Sequence, residues 1–71
     1  MIRYLVLYQP TESGYTAWVP DLPGCMTTGA TRPEAETHIR EAVDFHVAGL
    51  LHEGQPLPQP RTEHGHVVVG Q

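Results

Sequence analysis

The segment from Tyr15 to Ala35 constrains the fold of this chain more than any other part of it. It reads Y-T-A-W-V-P-D-L-P-G-C-M-T-T-G-A-T-R-P-E-A, and its first five residues alternate in the period-two pattern of a strand. Pro20 has no amide hydrogen to donate to a sheet ladder, and Pro23-Gly24 favours a reversal of the chain. The pattern therefore predicts a strand that stops before Pro20 and turns back tightly.

A third strand and then a helix follow this turn. Cys25 to Thr28 has the length of a short strand, and Gly29 closes it. Thr31 and Glu34 have capping-box spacing, in which the threonine hydroxyl accepts from the Glu34 amide and the carboxylate accepts from the Thr31 amide. We expect a helix to begin here and to end at Gly54, because the prolines that follow cannot continue it.

One face of this helix is suited to cover a sheet. Its residues at three- and four-residue spacing form a mostly apolar stripe. The stripe consists of Ala35, Ile39, Ala42, Val43, His46, Val47 and Leu50.

The two ends of the chain supply the remaining strands. Ile2–Gln9 carries apolar residues on both faces, and a polar turn joins it to the strand over residues 15–19 as an antiparallel hairpin. His66–Val69 is a last short strand. A right-handed crossover would place it parallel to the first strand, in the order 3-2-1-4. The prediction for residues 1–71 is a single α+β domain of two layers, a mixed four-stranded sheet under one helix, in the order β-β-β-α-β.

Such a sheet leaves one face uncovered. Trp18 is a candidate contact there, since tryptophan is enriched among residues that dominate binding energy. Alternation alone does not decide whether Trp18 or Tyr15 faces the helix, so a core position for Trp18 stays open. Phe45 lies off the helix stripe and is a second candidate. Because so small a core is thin, we also expect a homodimer or larger assembly.

Composition limits the classes of partner. Eight acidic residues oppose four arginines, lysine is absent, and the formal charge is -4. Scattered arginines do not form the basic stripe that phosphate binding requires, so direct nucleic-acid binding is disfavoured. The charge suits a basic protein partner, or it serves only solubility.

The single Cys25, the lack of a leader and the lack of a run of about 20 apolar residues predict a cytoplasmic protein without membrane contact.

Catalytic and metal sites are not indicated. Asp21 and Cys25 flank the sharp turn, but Asp there commonly bonds nearby backbone, and a small cysteine beside a strand commonly packs as a weak hydrophobe. His64 and His66 alternate, yet no cysteine or carboxylate completes a ligand spacing with them. We predict no catalytic residue, no metal and no cofactor.

The succession of motifs resembles the signature of the HicB-like antitoxin family across nearly the whole chain. The matching positions are Tyr15, Ala17, Val19, Pro20, Asp21, Leu22, Pro23, Gly24 and Cys25, then Gly29, Thr31, Glu34 and Ala35, and finally Gly54, Pro58 and Pro60.

The resemblance implies a truncated ribonuclease-H-like fold without catalysis, which docks against a HicA-type mRNA-cleaving toxin and blocks its active-site histidine. It assigns a structural role to Pro20, Pro23, Gly24, Cys25, Gly29, Thr31 and Glu34. The expected toxin contacts are Trp18, Asp21, Leu22 and Phe45.

This sequence departs from many members of the family in one respect. Those members continue into a C-terminal DNA-binding segment, and we expect none here, because the sequence stops at Gln71. The alternative to an antitoxin is an orphan member of the family that self-associates as a structural domain without a toxin. A small enzyme is the least favoured reading.

Overall fold

The computed structural model describes residues 1–71 and shows a three-stranded antiparallel sheet with one helix. The strands are β1 (Leu7–Thr11), β2 (Gly14–Trp18) and β3 (Met26–Gly29), and the helix is α1 (Arg32–His52). The sheet order is β1-β2-β3. The expected α+β class with one helix on one sheet is confirmed.

The hairpin of β1 and β2 forms as expected, but its ladder starts later than predicted. Leu7 pairs with Trp18 and Thr11 pairs with Gly14. Residues 2–6 continue β1 in sequence but extend past the end of β2, because the chain turns away at Pro20. The predicted first strand over Ile2–Gln9 is therefore only partly a paired strand.

The helix begins at the predicted capping pattern. Thr31 is extended at the N-cap, and its Oγ1 accepts a hydrogen bond from the Glu34 amide at 3.2 Å. The reciprocal bond to the Glu34 carboxylate is not formed, so half of the capping box is present. Arg32 lies over the Tyr8 ring at 3.9 Å and pairs with Glu36 at 3.4 Å, which links the first helical turn to β1.

The helix ends at His52 with Glu53 as its C-cap, and Gly54, the predicted stop, follows directly. The Gln55 amide donates to the Leu50 carbonyl at 2.8 Å, and the Gly54 amide donates to the Leu51 carbonyl at 3.1 Å. Gly54 has φ of 72°, a conformation that glycine adopts without steric cost. Although α1 has 21 residues, it is too polar to cross a membrane.

A small core lies between the sheet, the helix and the turn after β2. Its six buried side chains are Ala17, Val19, Leu22, Cys25, Ala35 and Ile39. Leu22 is the largest fully buried side chain, although it belongs to a turn. The turn is held by hydrogen bonds from the Val19 amide to the Cys25 carbonyl at 3.0 Å and from the Cys25 amide to the Leu22 carbonyl at 3.0 Å. The proline-rich turn thus supplies part of the core.

The helix approaches β3 very closely at Gly29. A Cβ atom placed there would lie 2.5 Å from the Ala35 nitrogen. Beside this contact, Nδ1 of His38 lies 2.7 Å from the Thr28 carbonyl oxygen, where a protonated Nδ1 donates a hydrogen bond. Gly29 therefore sets the distance between α1 and the sheet.

The expected fourth strand at His66–Val69 is not formed, and the sheet has three strands. The Tyr4 hydroxyl donates to the Pro58 carbonyl at 2.7 Å, and the Asp21 carboxylate binds the chain at Thr62. Every residue beyond Thr62 is exposed. We call residues 63–71 the arm.

The arm makes the molecule elongated. The radius of gyration is 14.1 Å, against about 11 Å for a compact chain of this length. The bonds from Tyr4 and Asp21 hold the C-terminal segment as far as Thr62. Val67, Val68 and Val69 beyond it are exposed and make no backbone–backbone hydrogen bond.

Candidate protein-binding surface

The register of the sheet places Trp18 on the face away from the helix. Ala17 lies opposite Tyr8 and is fully buried under α1, so the neighbouring residue Trp18 must point to the other face. Trp18 is half-buried there, beside its partner Leu7. The alternative in which Trp18 fills the core is therefore excluded.

Trp18 forms one side of a cleft beside the turn. The cleft has a volume of about 350 Å³. Its lining includes Trp18, Pro20, Pro23, Gly24, Cys25 and Met26. Met26 is 62% exposed at the start of β3, and its side chain is therefore available to a partner.

A second cleft, of about 400 Å³, lies between β3 and the helix. Phe45 forms part of its wall and is 73% exposed. Gly49 and Leu50 lie further along the same wall. The Phe45 side chain leaves the helix toward solvent, as expected from its position off the apolar stripe.

The two clefts meet at Gly24, Cys25 and Met26, which line both of them. The apolar surface consequently continues around the free edge of β3, from Trp18 on the open sheet face to Phe45 on the helix. We call it the β3-edge surface and define it by Trp18, Met26 and Phe45. Exposed sheet edges and contiguous apolar patches are typical of protein interaction sites.

Leu22 and Asp21, the other two expected contacts, are placed differently. Leu22 is fully buried in the core, so its side chain offers no surface to a partner. The Asp21 carboxylate is occupied within the chain. Its Oδ2 accepts from the amides of Arg61 at 3.1 Å and Thr62 at 3.0 Å, and its Oδ1 accepts from the Thr62 hydroxyl at 2.9 Å. We call this set of bonds the Asp21 clamp.

The Asp21 clamp was not found from the sequence. Asp21 and Thr62 are 41 positions apart, and an aspartate before a Pro-Gly turn suggests a bond to nearby backbone instead. The pKa of Asp21 is lowered, mainly because the Thr62 amide donates a hydrogen bond to its carboxylate. The Thr62 hydroxyl and Arg61 lower this pKa further, and partial desolvation of the carboxylate raises it.

The Asp21 clamp should open in acid. The pKa of Asp21 is lower in the folded chain than its ordinary value of 3.8. The clamp therefore stabilises the fold fully at pH values above 3.8. This stabilisation is lost as the pH falls through the lower pKa that Asp21 has in the folded chain. We expect the amide resonances of Arg61 and Thr62 to move toward random-coil positions below about pH 4. Two-dimensional NMR across an acid titration measures this directly.

The Asp21→Asn variant is the matched control for this titration. It keeps one oxygen acceptor but has no charge to lose, so its Arg61 and Thr62 resonances should not follow the same acid transition. If the wild-type amides stay unchanged down to about pH 2, the carboxylate does not hold the chain in solution.

The other side chains considered for catalysis or metal binding do not lie together in one site. Burial raises the pKa of the Cys25 thiol by desolvation, which disfavours the reactive thiolate. The rings of His64 and His66 lie 6.0 Å apart, edge to face, in the arm. No group of three or more histidine, cysteine or acidic side chains is placed to hold a metal ion.

Comparison with known protein families gives a match over most of the chain. Residues 4–67 match the family model described as the HicB_like antitoxin of bacterial toxin-antitoxin systems. A UPF0150 protein of Thermoplasma acidophilum is 35% identical over 63 residues, which cover 87% of this chain and 91% of that protein. A UPF0150 protein of Synechocystis is 36% identical and is covered over 70% of its length.

Longer relatives and solved structures are also similar. An uncharacterised protein of a Haemophilus phage is 38% identical over 79% of this chain, but the match spans only 42% of the phage protein. A chain of a HicA3 and HicB3 toxin-antitoxin complex superposes with a TM-score of 0.70 at 32% identity, covering 84% of this chain and 70% of that one. A crystal structure of a Thermus thermophilus protein gives a TM-score of 0.66, also at 32% identity, covering 86% of this chain and 82% of that one.

Proposed function

The chain belongs to the HicB-like antitoxin family, and from this we propose that it binds a HicA-type toxin through the β3-edge surface. Binding there would cover the active site of the toxin and stop it from cleaving messenger RNA. The observation that carries the proposal is the continuous exposed apolar surface from Trp18 through Met26 to Phe45, since large apolar side chains are costly to leave in water. The similarity to a chain of a toxin-antitoxin complex supports it.

Charge complementarity supports the same class of partner. A ribonuclease needs basic side chains to bind the phosphates of its substrate. This chain carries a formal charge of -4 and has no lysine, so it attracts a basic protein and is repelled by RNA itself. The proposed antitoxin therefore competes with the substrate for the basic surface of the toxin.

The proposal includes a non-catalytic role in the cytoplasm. A ribonuclease-H-like nuclease requires clustered carboxylates to hold magnesium, one of them on the first strand. β1 and the residues before it contain no aspartate or glutamate. We therefore interpret the sheet as a truncated ribonuclease-H-like unit that has kept the scaffold for protein binding and not the chemistry.

Co-expression with the product of an adjacent toxin gene tests this function. We expect the two proteins to co-elute from gel filtration as one complex, and we expect the chain to relieve the growth arrest that the toxin causes when expressed alone. If the proteins elute separately and growth is not restored, the chain does not act as an antitoxin for that toxin, and the orphan role as a self-associating structural protein is favoured.

A further inference from the structure

β3 is an outer strand of the sheet, and its register directs part of its backbone away from β2. In an antiparallel pair of strands, opposed residues that exchange hydrogen bonds alternate with opposed residues that exchange none. The register continues to Val19 and Cys25, where the Val19 amide donates to the Cys25 carbonyl at 3.0 Å. The next pair, Trp18 and Met26, is therefore of the second kind. Met26 directs its amide and carbonyl to the outer edge, and so does Thr28 two residues later.

Only one of these four outward groups is bonded within the chain. The Thr28 carbonyl oxygen lies 2.7 Å from Nδ1 of His38. No hydrogen bond outside the helix and the strand ladders involves the Thr28 amide or either backbone group of Met26. Both residues are exposed, so a strand of another protein can reach these three groups.

The side chains around this edge are apolar on both faces of the sheet. Met26 lies opposite Trp18 and shares the open face with it, whereas Phe45 lines the cleft between β3 and α1 on the helix face. The side chains of an added strand would alternate between the same two faces. One set would cover Trp18 and Met26, and the other would enter the cleft beside Phe45. A strand at the edge therefore fills both clefts, which a partner lying flat on one face cannot do.

The charge beside this edge favours a basic partner. Glu34, His38 and Glu41 follow one another at four- and three-residue spacing and form one row along α1. Because His38 contacts Thr28, this row lies next to β3. Both glutamates of the row are exposed, and Glu53 lines the cleft in the same region. A strand flanked by basic side chains would therefore have the complementary charge.

A second copy of this chain is poorly suited to the β3 edge. Pairing of two β3 strands about a twofold axis would bring Glu34 and Glu41 of both molecules to one interface. Juxtaposed like charges oppose such an association. A toxin that binds RNA carries basic side chains for the phosphates, so it meets the acidic row without this repulsion.

We propose that the toxin adds an extended segment to the β3 edge as a further strand of the sheet, bonded to both backbone groups of Met26 and to the Thr28 amide. This inference rests on the proposed function and specifies how the β3-edge surface is recognised. The segment has apolar side chains on both faces, and basic side chains beside it meet Glu34 and Glu41. Backbone pairing supplies affinity, and the two clefts select the side chains.

Thr28→Pro tests the pairing in the full chain. Proline removes the outward amide hydrogen and obstructs an approaching strand, while edge strands tolerate proline where the amide faces solvent. Isothermal titration calorimetry with the co-purified toxin should give a Kd raised at least about tenfold. Thr28→Ala is the matched control, because it removes the same hydroxyl and keeps the amide. It should change Kd by less than about threefold.

Hydrogen exchange of the wild-type protein measures the same pairing without a substitution. Thr27 and Gly29 direct their amides to β2, so these amides should exchange slowly in the free protein. The amides of Met26 and Thr28 should exchange fast. In the complex with the toxin all four should exchange slowly, because the added strand accepts from the two outward amides.

The outcomes separate this inference from the proposed function. A complex in which the Met26 and Thr28 amides still exchange fast would overturn the strand pairing and leave the antitoxin role standing. Equal affinities of folded Thr28→Pro and Thr28→Ala variants would do the same. If Thr28→Pro does not fold, hydrogen exchange of the wild-type complex decides alone. If no complex forms, the proposed function fails, and this inference fails with it.

Discussion

Replacing Gly29 with alanine is expected to destabilise the fold by about 3 kcal/mol. The added Cβ atom would lie 2.5 Å from the Ala35 nitrogen and 2.9 Å from its Cα. These are backbone atoms in the first turns of α1, so no side-chain rotation can relieve the overlap. The helix must move away from β3, which loosens the contacts of Ala35 and Ile39 in a core of only six buried residues.

Urea unfolding followed by far-ultraviolet circular dichroism measures this effect. A loss of about 3 kcal/mol is a large part of the stability of a small protein, so the variant should unfold at a much lower urea concentration. Gly49→Ala is the matched control, because its Cβ would meet nothing within 4 Å. Alanine there should stabilise the helix by up to about 1 kcal/mol. Equal stability of Gly29→Ala and wild type would show that α1 does not approach the sheet this closely.

The Trp18→Ala substitution is expected to weaken toxin binding by about 30-fold or more. Buried tryptophan contacts at protein interfaces commonly contribute about 2 kcal/mol or more, and each 1.4 kcal/mol corresponds to about a tenfold change in Kd. Trp18 is already half-buried by the turn, so its ring is held in one position before binding. A partner would therefore gain contact area with little loss of side-chain freedom.

Isothermal titration calorimetry with the co-purified toxin gives the change in Kd. Leu51→Ala is the control, because it removes an exposed apolar side chain of α1 that lines neither cleft, and it should change Kd by less than about threefold. Urea unfolding of Trp18→Ala separates a binding defect from a folding defect. If a folded Trp18→Ala variant binds with wild-type affinity, the toxin does not use the open sheet face.

The structure shows which face of β2 carries Trp18, a question that the sequence left open. Alternation showed that Trp18 and Ala17 point to opposite faces, but it was equally compatible with either one facing the helix. In the structure Ala17 is fully buried under α1, and Tyr8 and Tyr15 pack against the core from the same sheet face. Contact between the helix and this face decided the question, and such contact is not encoded in the period of one strand.

The positions of Leu22 and Asp21 depend on tertiary contacts in the same way. Both were expected at a partner interface because the family resemblance places this turn beside the toxin. The turn folds inward, so that Leu22 completes the core, and the Asp21 carboxylate binds amides from a segment 40 positions away in sequence. Local turn patterns describe where the chain reverses, and they contain no information about which distant segment will lie beside it.

The local features of this protein were determined by the sequence itself. The hairpin, the stop at Pro20, the start of the helix after Thr31 and its end before Gly54 each depend on the dihedral angles and hydrogen-bonding groups of a few neighbouring residues. Only the tertiary structure decided which sheet face the helix covers, where the C-terminal segment is held, and that His66–Val69 remains outside the sheet of its own chain. Those outcomes depend on contacts between residues far apart in sequence, whose free energy exists only once the chain has folded.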